Sequence, residues 1–282
     1  MRAGSHASWL LGVALVILGV VAGASSVGAQ EEFGSATLQA LGGVYTIVPG
    51  EPSVVWLNSA TMANGAGGVE VSYRRLFDLE QMDEVVASAF WRVNPWLGLG
   101  GGGAHFGESG LYEEFRAIGA ASVRALRSLR FGVALEYQRE EYGSGNAVFS
   151  GLGADLSASW RLHESWIAAI GVRRLALDEI YDGIYNDANP GVIFDASVAW
   201  SLPPELTIGG RWFREDGGAD RFSLGQRLRL VDGIDLLTGL RFDPIRYSLG
   251  GRISLRGVRI DYAYISHSEL GGTHGIGIAW CP

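Results

Sequence analysis

The sequence predicts an all-β protein, a single closed antiparallel transmembrane β-barrel of about 14 strands with a short N-terminal plug segment. Three observations lead there. Apolar and polar residues alternate with period two from Val69 to the C terminus, the signature of strands with two unlike faces. The breaks between these segments are alternately short and long, as at the two rims of an outer-membrane barrel. Tryptophan gathers beside the short breaks, where a membrane interface would hold an indole ring.

The chain of 282 residues opens with Arg2 and an apolar run from Trp9 to Ala22, then small residues ending in Val27-Gly28-Ala29. The run is short for a membrane span and has the flanks of a secretory signal. Residues 1–29 are therefore expected to be a signal peptide cleaved before Gln30, with a retained anchor as the alternative. Loss of Arg2 makes the mature chain one unit more acidic than the −8 of the full sequence. The acidic balance and the lack of a basic run argue against nucleic acid as a partner. A single cysteine, Cys281, excludes an intrachain disulfide framework. After residue 30 no apolar stretch of about eighteen residues follows, so any membrane residence must use strands.

Residues 30–68 are expected to be an N-terminal periplasmic or plug segment, and residues 69–282 the barrel. The segment carries Gly42-Gly43, Gly50, Pro52 and Gly65 and is too short to bury a core of its own. It precedes the first strand, so it can fold upward into a lumen that fourteen strands would make wide (barrel diameter grows with strand number). Val54, Val55, Trp56 and Leu57 would then pack against glycine and alanine of the inner wall.

Clear strands are read at 129–137, 152–162, 192–202, 234–242, 245–255 and 258–264. Weaker ones lie near 69–76, 84–93, 97–106, 115–125, 166–174, 206–214, 221–230 and 273–280. In "IRYSLGGRISL", Ile245, Tyr247, Leu249, Ile253 and Leu255 share one face, and Arg246, Ser248, Gly250, Arg252 and Ser254 the other. The short links are Asn94-Pro95, Arg127-Ser128, His163-Glu164, Pro203-Pro204, Asp232-Gly233 and Gly257. The alternate links, such as "FDLEQMD", "REEYGSGN" and "LDEIYDGIYNDANP", are longer and more acidic; Asp243-Pro244 is short where length is expected.

Trp91, Trp96, Trp160, Trp166, Trp200 and Trp280 all fall near the short links or the terminus beside them, forming a periplasmic-side aromatic girdle. A soluble sandwich or propeller, the alternative, has no reason to gather tryptophan at one end. Backbone polar groups in lipid must be paired, so the sheet must close. Strands of about nine to eleven residues suffice to cross. An even count returns Cys281 and Pro282 to the periplasm. Turned to lipid, Leu249→Arg or Tyr262→Arg should impair assembly more than the inward Arg252→Leu.

The ending "DYAYISHSELGGTHGIGIAW" is similar to the last hairpin of PorV/PorQ-like proteins and their wider relatives in the FadL-like group of outer-membrane transporters. The shared pattern is Asp261-Tyr262-Ala263-Tyr264, then His267, Glu269-Leu270-Gly271, Thr273-His274 and an alternating last strand. "LQALGGVYTIVPGEPSVVWLNSATMA", Leu38 to Ala63, resembles that group's Gly-Gly-Ala opening and its Trp-Asn-Pro-Ala-Gly-like stretch. Here Asn58 is followed by Ser59-Ala60-Thr61, without the proline and glycine. The resemblance implies an outer-membrane barrel whose residues from about 31 to 66 enter or plug the periplasmic end, with Trp56 and Asn58 in the plug. It implies either passage of hydrophobic or amphipathic small molecules or, as the alternative, a PorV-like component or shuttle of a protein secretion or attachment system. Partners would be outer-membrane lipid with small hydrophobic molecules or secreted proteins.

The predicted inner face toward the C terminus carries Arg227, Arg229, Asp235, Arg241, Arg246, Arg252, Arg259 and Asp261. Such rows could bind or guide a polar or anionic solute. Because opposite charges interleave on neighbouring strands, mutual pairing that fills the lumen is the preferred reading. Asp178, Glu179, Asp182, Asn186 and Asp187 offer oxygen ligands, but their spacing matches no EF-hand loop, and a solvated acidic loop is expected. Of His105, His163, His267 and His274, only His267 adjoins serines, Ser266 and Ser268, and no orienting third member is identifiable. No enzyme, metal or cofactor is expected, and Cys281 is read as a small terminal residue.

Overall fold

The computed structural model describes residues 34–108, 110–143, 147–182, 191–202, 205–242, 244–267 and 270–282. The expected signal peptide lies outside them. Fourteen strands close into one antiparallel barrel in which each pairs with its sequence neighbours and the first with the last. They are β1 (Gly67–Arg75), β2 (Asp83–Arg92), β3 (Leu97–Glu108), β4 (Tyr112–Arg124) and β5 (Leu129–Tyr142). Next come β6 (Ala147–His163), β7 (Trp166–Asp182), β8 (Ile193–Leu202), β9 (Leu206–Glu215) and β10 (Asp220–Val231). The barrel ends with β11 (Ile234–Phe242), β12 (Arg246–Leu255), β13 (Val258–Ser266) and β14 (Gly272–Trp280). No helix among the described residues is long and apolar enough to cross a membrane.

Period two produces two unlike surfaces. On β1, Val69, Val71 and Tyr73 point outward while Glu70, Ser72 and Arg74 are buried inside. At the closing seam Val71 opposes Ile278 and Tyr73 opposes Ile276, so the outer aliphatic and aromatic rows run unbroken across it. Side chains such as Leu249, Ile253, Ile276 and Ile278 are about half exposed or more. An apolar belt of this extent suits a lipid solvent, and closing the sheet leaves no unpaired backbone edge within it.

The two rims are unlike. At one, the strands join through residues 93–96, 125–128, 164–165, 203–205, 232–233 and 256–257. Trp91, Trp96, Trp160, Trp166 and Trp280 are exposed around that rim. Trp200 is less so because it stacks on Trp166, ring centroids 5.3 Å apart and 9° from parallel. The connections at the other rim are not all long. Residues 243–245 are as brief as those opposite, as the sequence indicates, and so are 109–111, where part of what reads as loop in the sequence is strand. The segments read at 129–137, 152–162 and 166–174 extend in β5, β6 and β7 to Tyr142, Ala147–His163 and Asp182. β1 likewise begins at Gly67, two residues before the expected boundary.

Residues 34–66 pack within the barrel. Ser35 caps the short helix α1 (Ala36–Ala40), its Oγ accepting from the Leu38 N–H at 3.3 Å. Gly42 and Gly43, with φ of 64° and 84°, end it. Three 3-10 turns follow, at Tyr45–Ile47, Pro52–Trp56 and Ser59–Asn64. The apolar side chains of this stretch, among them Tyr45, Val54, Val55, Trp56 and Met62, are buried against Val86, Phe90, Ala104, Ile118 and Leu237 of the wall. Two wall glycines show how the fit is made. A Cβ at Gly102 would lie 2.8 Å from the Trp56 ring, and one at Gly225 would meet Leu41 O at 2.6 Å and Ile47 Cδ1 at 2.9 Å.

Candidate functional site

The lumen is the one place where inward side chains from every part of the sequence converge. Near the short-turn rim, Arg252 on β12 and Arg259 on β13 bracket Asp261, their Nε groups donating to its two oxygens at 2.7 and 2.8 Å. Arg252 Nη1 and Arg259 Nη1 then reach the two oxygens of Glu51 at 2.7 and 3.0 Å. Arg259 also lies 3.2 Å from Glu70, and Arg252 Nη2 donates to Thr37 Oγ1 at 2.7 Å. All five charged groups are largely removed from solvent. Burying such charges is tolerable only because each guanidinium satisfies several acceptors. Glu51 and Thr37 belong to the N-terminal segment, so the cluster ties that segment to the wall.

A second tie lies around β8 and β9. Tyr45 OH donates to Asp195, which also pairs with Arg211. The Arg211 guanidinium stands over the Tyr45 and Phe213 rings at 5.5 and 4.7 Å. Asn58 Nδ2 donates to the Ile170 carbonyl at 3.0 Å, and Trp56 Nε1 to Ser88 Oγ at 2.9 Å. Wall hydroxyls and guanidiniums also satisfy segment carbonyls that its short helices leave unpaired: Ser248 donates to Ala40 O at 2.9 Å and Arg241 to Gly42 O at 3.0 Å.

The other half of the lumen is richer in acid. Arg116 lies 2.6 Å from Glu114 and 3.3 Å from Glu136, and Gln138 donates to Glu114 at 3.0 Å and to Glu140. Arg74 pairs with Glu84. Tyr112 donates to Glu114 at 3.1 Å, and its ring meets that of Phe106 at 5.8 Å.

The eight residues expected on the inner face do not form one site. Arg252, Arg259 and Asp261 join the central cluster. Arg229 stands exposed, 3.5 Å from Asp235, and Arg241 opposes Arg246 at the far end of β11 and β12. Arg227 is half-buried. Glu51, Glu70 and Thr37 complete the cluster from distant positions, with no pattern in the sequence to mark them.

Among the described residues, four histidines have these neighbours. His105 contacts Glu113 at 2.8 Å, His163 contacts Ser165 at 3.0 Å, His267 meets Phe77 edge-on at 4.5 Å and His274 contacts Tyr262 OH at 2.8 Å. Ser266 exchanges hydrogen bonds with the Tyr247 backbone at 3.0 and 3.2 Å. Ser268, Asn186 and Asp187 lie outside the described residues, as do the side chains of Asp178, Glu179 and Asp182.

A closed fourteen-stranded antiparallel barrel with an apolar outer belt is the architecture of a transmembrane β-barrel. Solved structures match the fold along most of its length. The CymD monoaromatic hydrocarbon channel aligns with a TM-score of 0.67 at 12% identity, covering 88% of this chain and 97% of that one. The Pseudomonas putida toluene transporter TodX gives 0.62 at 12%, covering 90% and 98%. A Pseudomonas aeruginosa FadL homologue gives 0.60 at 11%, covering 88% and 95%. At these identities the likeness is one of fold. No protein-family model matches the sequence, and no curated protein matches it.

Proposed function

We propose that the protein is an outer-membrane transporter of hydrophobic or amphipathic small molecules, FadL-like in mode and non-enzymatic. It is exported through cleavage of residues 1–29, with its short-turn rim at the periplasm. The observation that carries this reading is the apolar seam inside the barrel, where Val54, Val55, Trp56 and Met62 meet Val86, Phe90, Ala104 and Ile118. A water-filled pore has no use for such a seam. A path for an apolar solute needs one, because a solute leaving the membrane or the loop rim must trade one apolar surface for another. Fold likeness to channels named for monoaromatic hydrocarbons supports the same reading.

In this account residues 30–68 are the plug, Trp56 and Asn58 hold it, and the tryptophan girdle seats the short-turn rim. The inner arginine and aspartate rows anchor the plug; they do not guide the solute. Passage then requires the plug to shift along the seam.

Ser59 Oγ lies 3.1 Å from Ser157 Oγ on β6, so cysteines at both positions can tether the plug to the wall. In a Cys281→Ser background, oxidised Ser59→Cys/Ser157→Cys should lose toluene uptake into proteoliposomes, and a reductant should restore it. Wild-type vesicles that take up toluene no faster than empty ones would overturn the transport reading. Co-purification of secretion components with such an inactive protein would favour the PorV-like alternative.

A further inference from the structure

Four arginines meet at the short-turn mouth of the lumen, remote in sequence but adjacent on the wall: Arg92 at the end of β2, Arg124 at the end of β4, Arg130 at the start of β5 and Arg161 near the end of β6. Arg124 and Arg130 are direct cross-strand partners, a like-charge opposition that costs stability. Arg92, Arg124 and Arg161 are the charged groups around Arg130. Arg92 and Arg161 are exposed, Arg124 is half-buried, and Arg130 is only 3% exposed, so the four grade from open water to the interior.

None of the four forms an ion pair with a carboxylate among the described residues. Arg92 donates to the carbonyls of Ala63, at 3.3 Å, and Gly65. Arg161 donates to Asn64 Oδ1 at 3.4 Å. Arg130 Nε and Nη1, Arg124 Nε and Ser122 Oγ are buried without any partner. A buried guanidinium with two unused donors is costly in a protein. It is also unexpected in a chain of net charge −8, which has acid to spare for pairing. Gly98, between Arg92 and Ser122 in the strand order, keeps the wall bare there: a Cβ would stand 2.8 Å from Ser122 Oγ.

We infer that these arginines, with Ser122, form a binding site for a phosphate group at the periplasmic mouth. A carboxylate would bring one charge to four guanidiniums. A phosphate monoester brings about −1.5 to −2 and three acceptor oxygens, which matches planar multi-donor groups better. Arg161 also borders a polar cavity of about 290 Å³ shared with Arg227, Ser165 and Ser201 and with the carboxylates of Glu51 and Glu164, space for an uncharged or cationic remainder of a small phosphorylated molecule. The phosphate could instead belong to a phospholipid headgroup of the adjoining leaflet. The site stands on the mouth's own residues and does not depend on which cargo crosses the barrel.

The test uses the processed full-length protein in a non-ionic detergent at low ionic strength, with inorganic phosphate as the probe. Calorimetry should show saturable binding that weakens with salt, and phosphate should raise the Tm. Arg130→Gln should weaken binding at least about tenfold, the loss of one charge-assisted contact. The same variant without phosphate should melt no lower than wild type, since it relieves like-charge repulsion; a merely structural arginine would lower the Tm. If Arg130→Gln fails to assemble, the exposed double variant Arg92→Gln/Arg161→Gln decides by the same two readouts. Nanodiscs then identify the source: binding of free phosphate that persists in phosphatidylglycerol supports a soluble ligand, and competition by that lipid supports a headgroup. Absence of saturable phosphate binding to wild type, or equal binding by the variants, would overturn the inference.

Discussion

Asp261 is held between two guanidiniums, and that makes the inner wall less forgiving than period two alone suggests. The sequence places Arg252 and Asp261 on the inward face, and the structure puts them there. Alternation cannot reveal that Glu51, 201 residues away, closes the other side of Arg252. For that reason the expectation that Arg252→Leu is milder than an outward arginine does not survive the geometry. Removing Arg252 leaves parts of Asp261 and Glu51 buried without their counter-charge, a loss of about 3–5 kcal/mol. Leu249→Arg at the lipid face costs roughly 2–4 kcal/mol. The two should therefore damage urea stability in detergent to a similar degree. Arg252→Leu combined with Asp261→Leu should fall well short of the sum of the singles, because the double variant removes both members of the pair. Strict additivity would show that the two residues do not interact as drawn. The arginine mouth was illegible for a related reason. Its members stand at 92, 124, 130 and 161, so no basic run appears in the sequence, and only strand pairing gathers them.

At the scale of the strand, the short-turn ends were legible and the far ends were not. Tryptophan and brief turns mark the first rim, while lipid forces strict alternation between the rims. Beyond the apolar belt that constraint lapses. Gln138–Tyr142 of β5 and the outer part of β7 are largely polar strand that reads as acidic loop. The period also slips: β6 and β7 change register between Leu152 and Gly153 and again between Ala154 and Leu156. There Arg174 adopts φ 58° and its N–H is taken by Asp155 Oδ1 at 2.9 Å, a bulge that re-aims the residues after it. Glycine in the strands was visible as composition but not as purpose. At Gly225 the nearest atoms an added Cβ would meet belong to the N-terminal segment, Leu41, Val44 and Ile47, so β10 itself should accept a β-branched residue. Gly225→Val should leave heat-modifiable barrel assembly intact while loosening the segment, read as faster proteolysis between residues 41 and 47. Protection equal to wild type would mean that the segment does not bear on that wall.

For the whole molecule, fourteen strands enclose a lumen wide enough to hold some thirty residues, a width set by strand number. Here the filling is chain, and it is held in three unlike ways: apolar contact along β2 to β4, ionic contact through Glu51, and hydroxyl and guanidinium donors to its carbonyls. The wall does not depend on that filling for its backbone pairing, since all fourteen strands are bonded to their neighbours. Deletion of residues 34–63 should therefore give a barrel that still inserts. Its lumen would then be lined by the bare glycines and by Arg252 and Arg259 deprived of Glu51, a wet and positively biased passage. Planar bilayers should show larger conductance than wild type, with a preference for anions that the filled protein lacks. A correctly inserted deletion variant that conducts no more than wild type would mean that the seal is made elsewhere, and the N-terminal segment would lose its role as a plug.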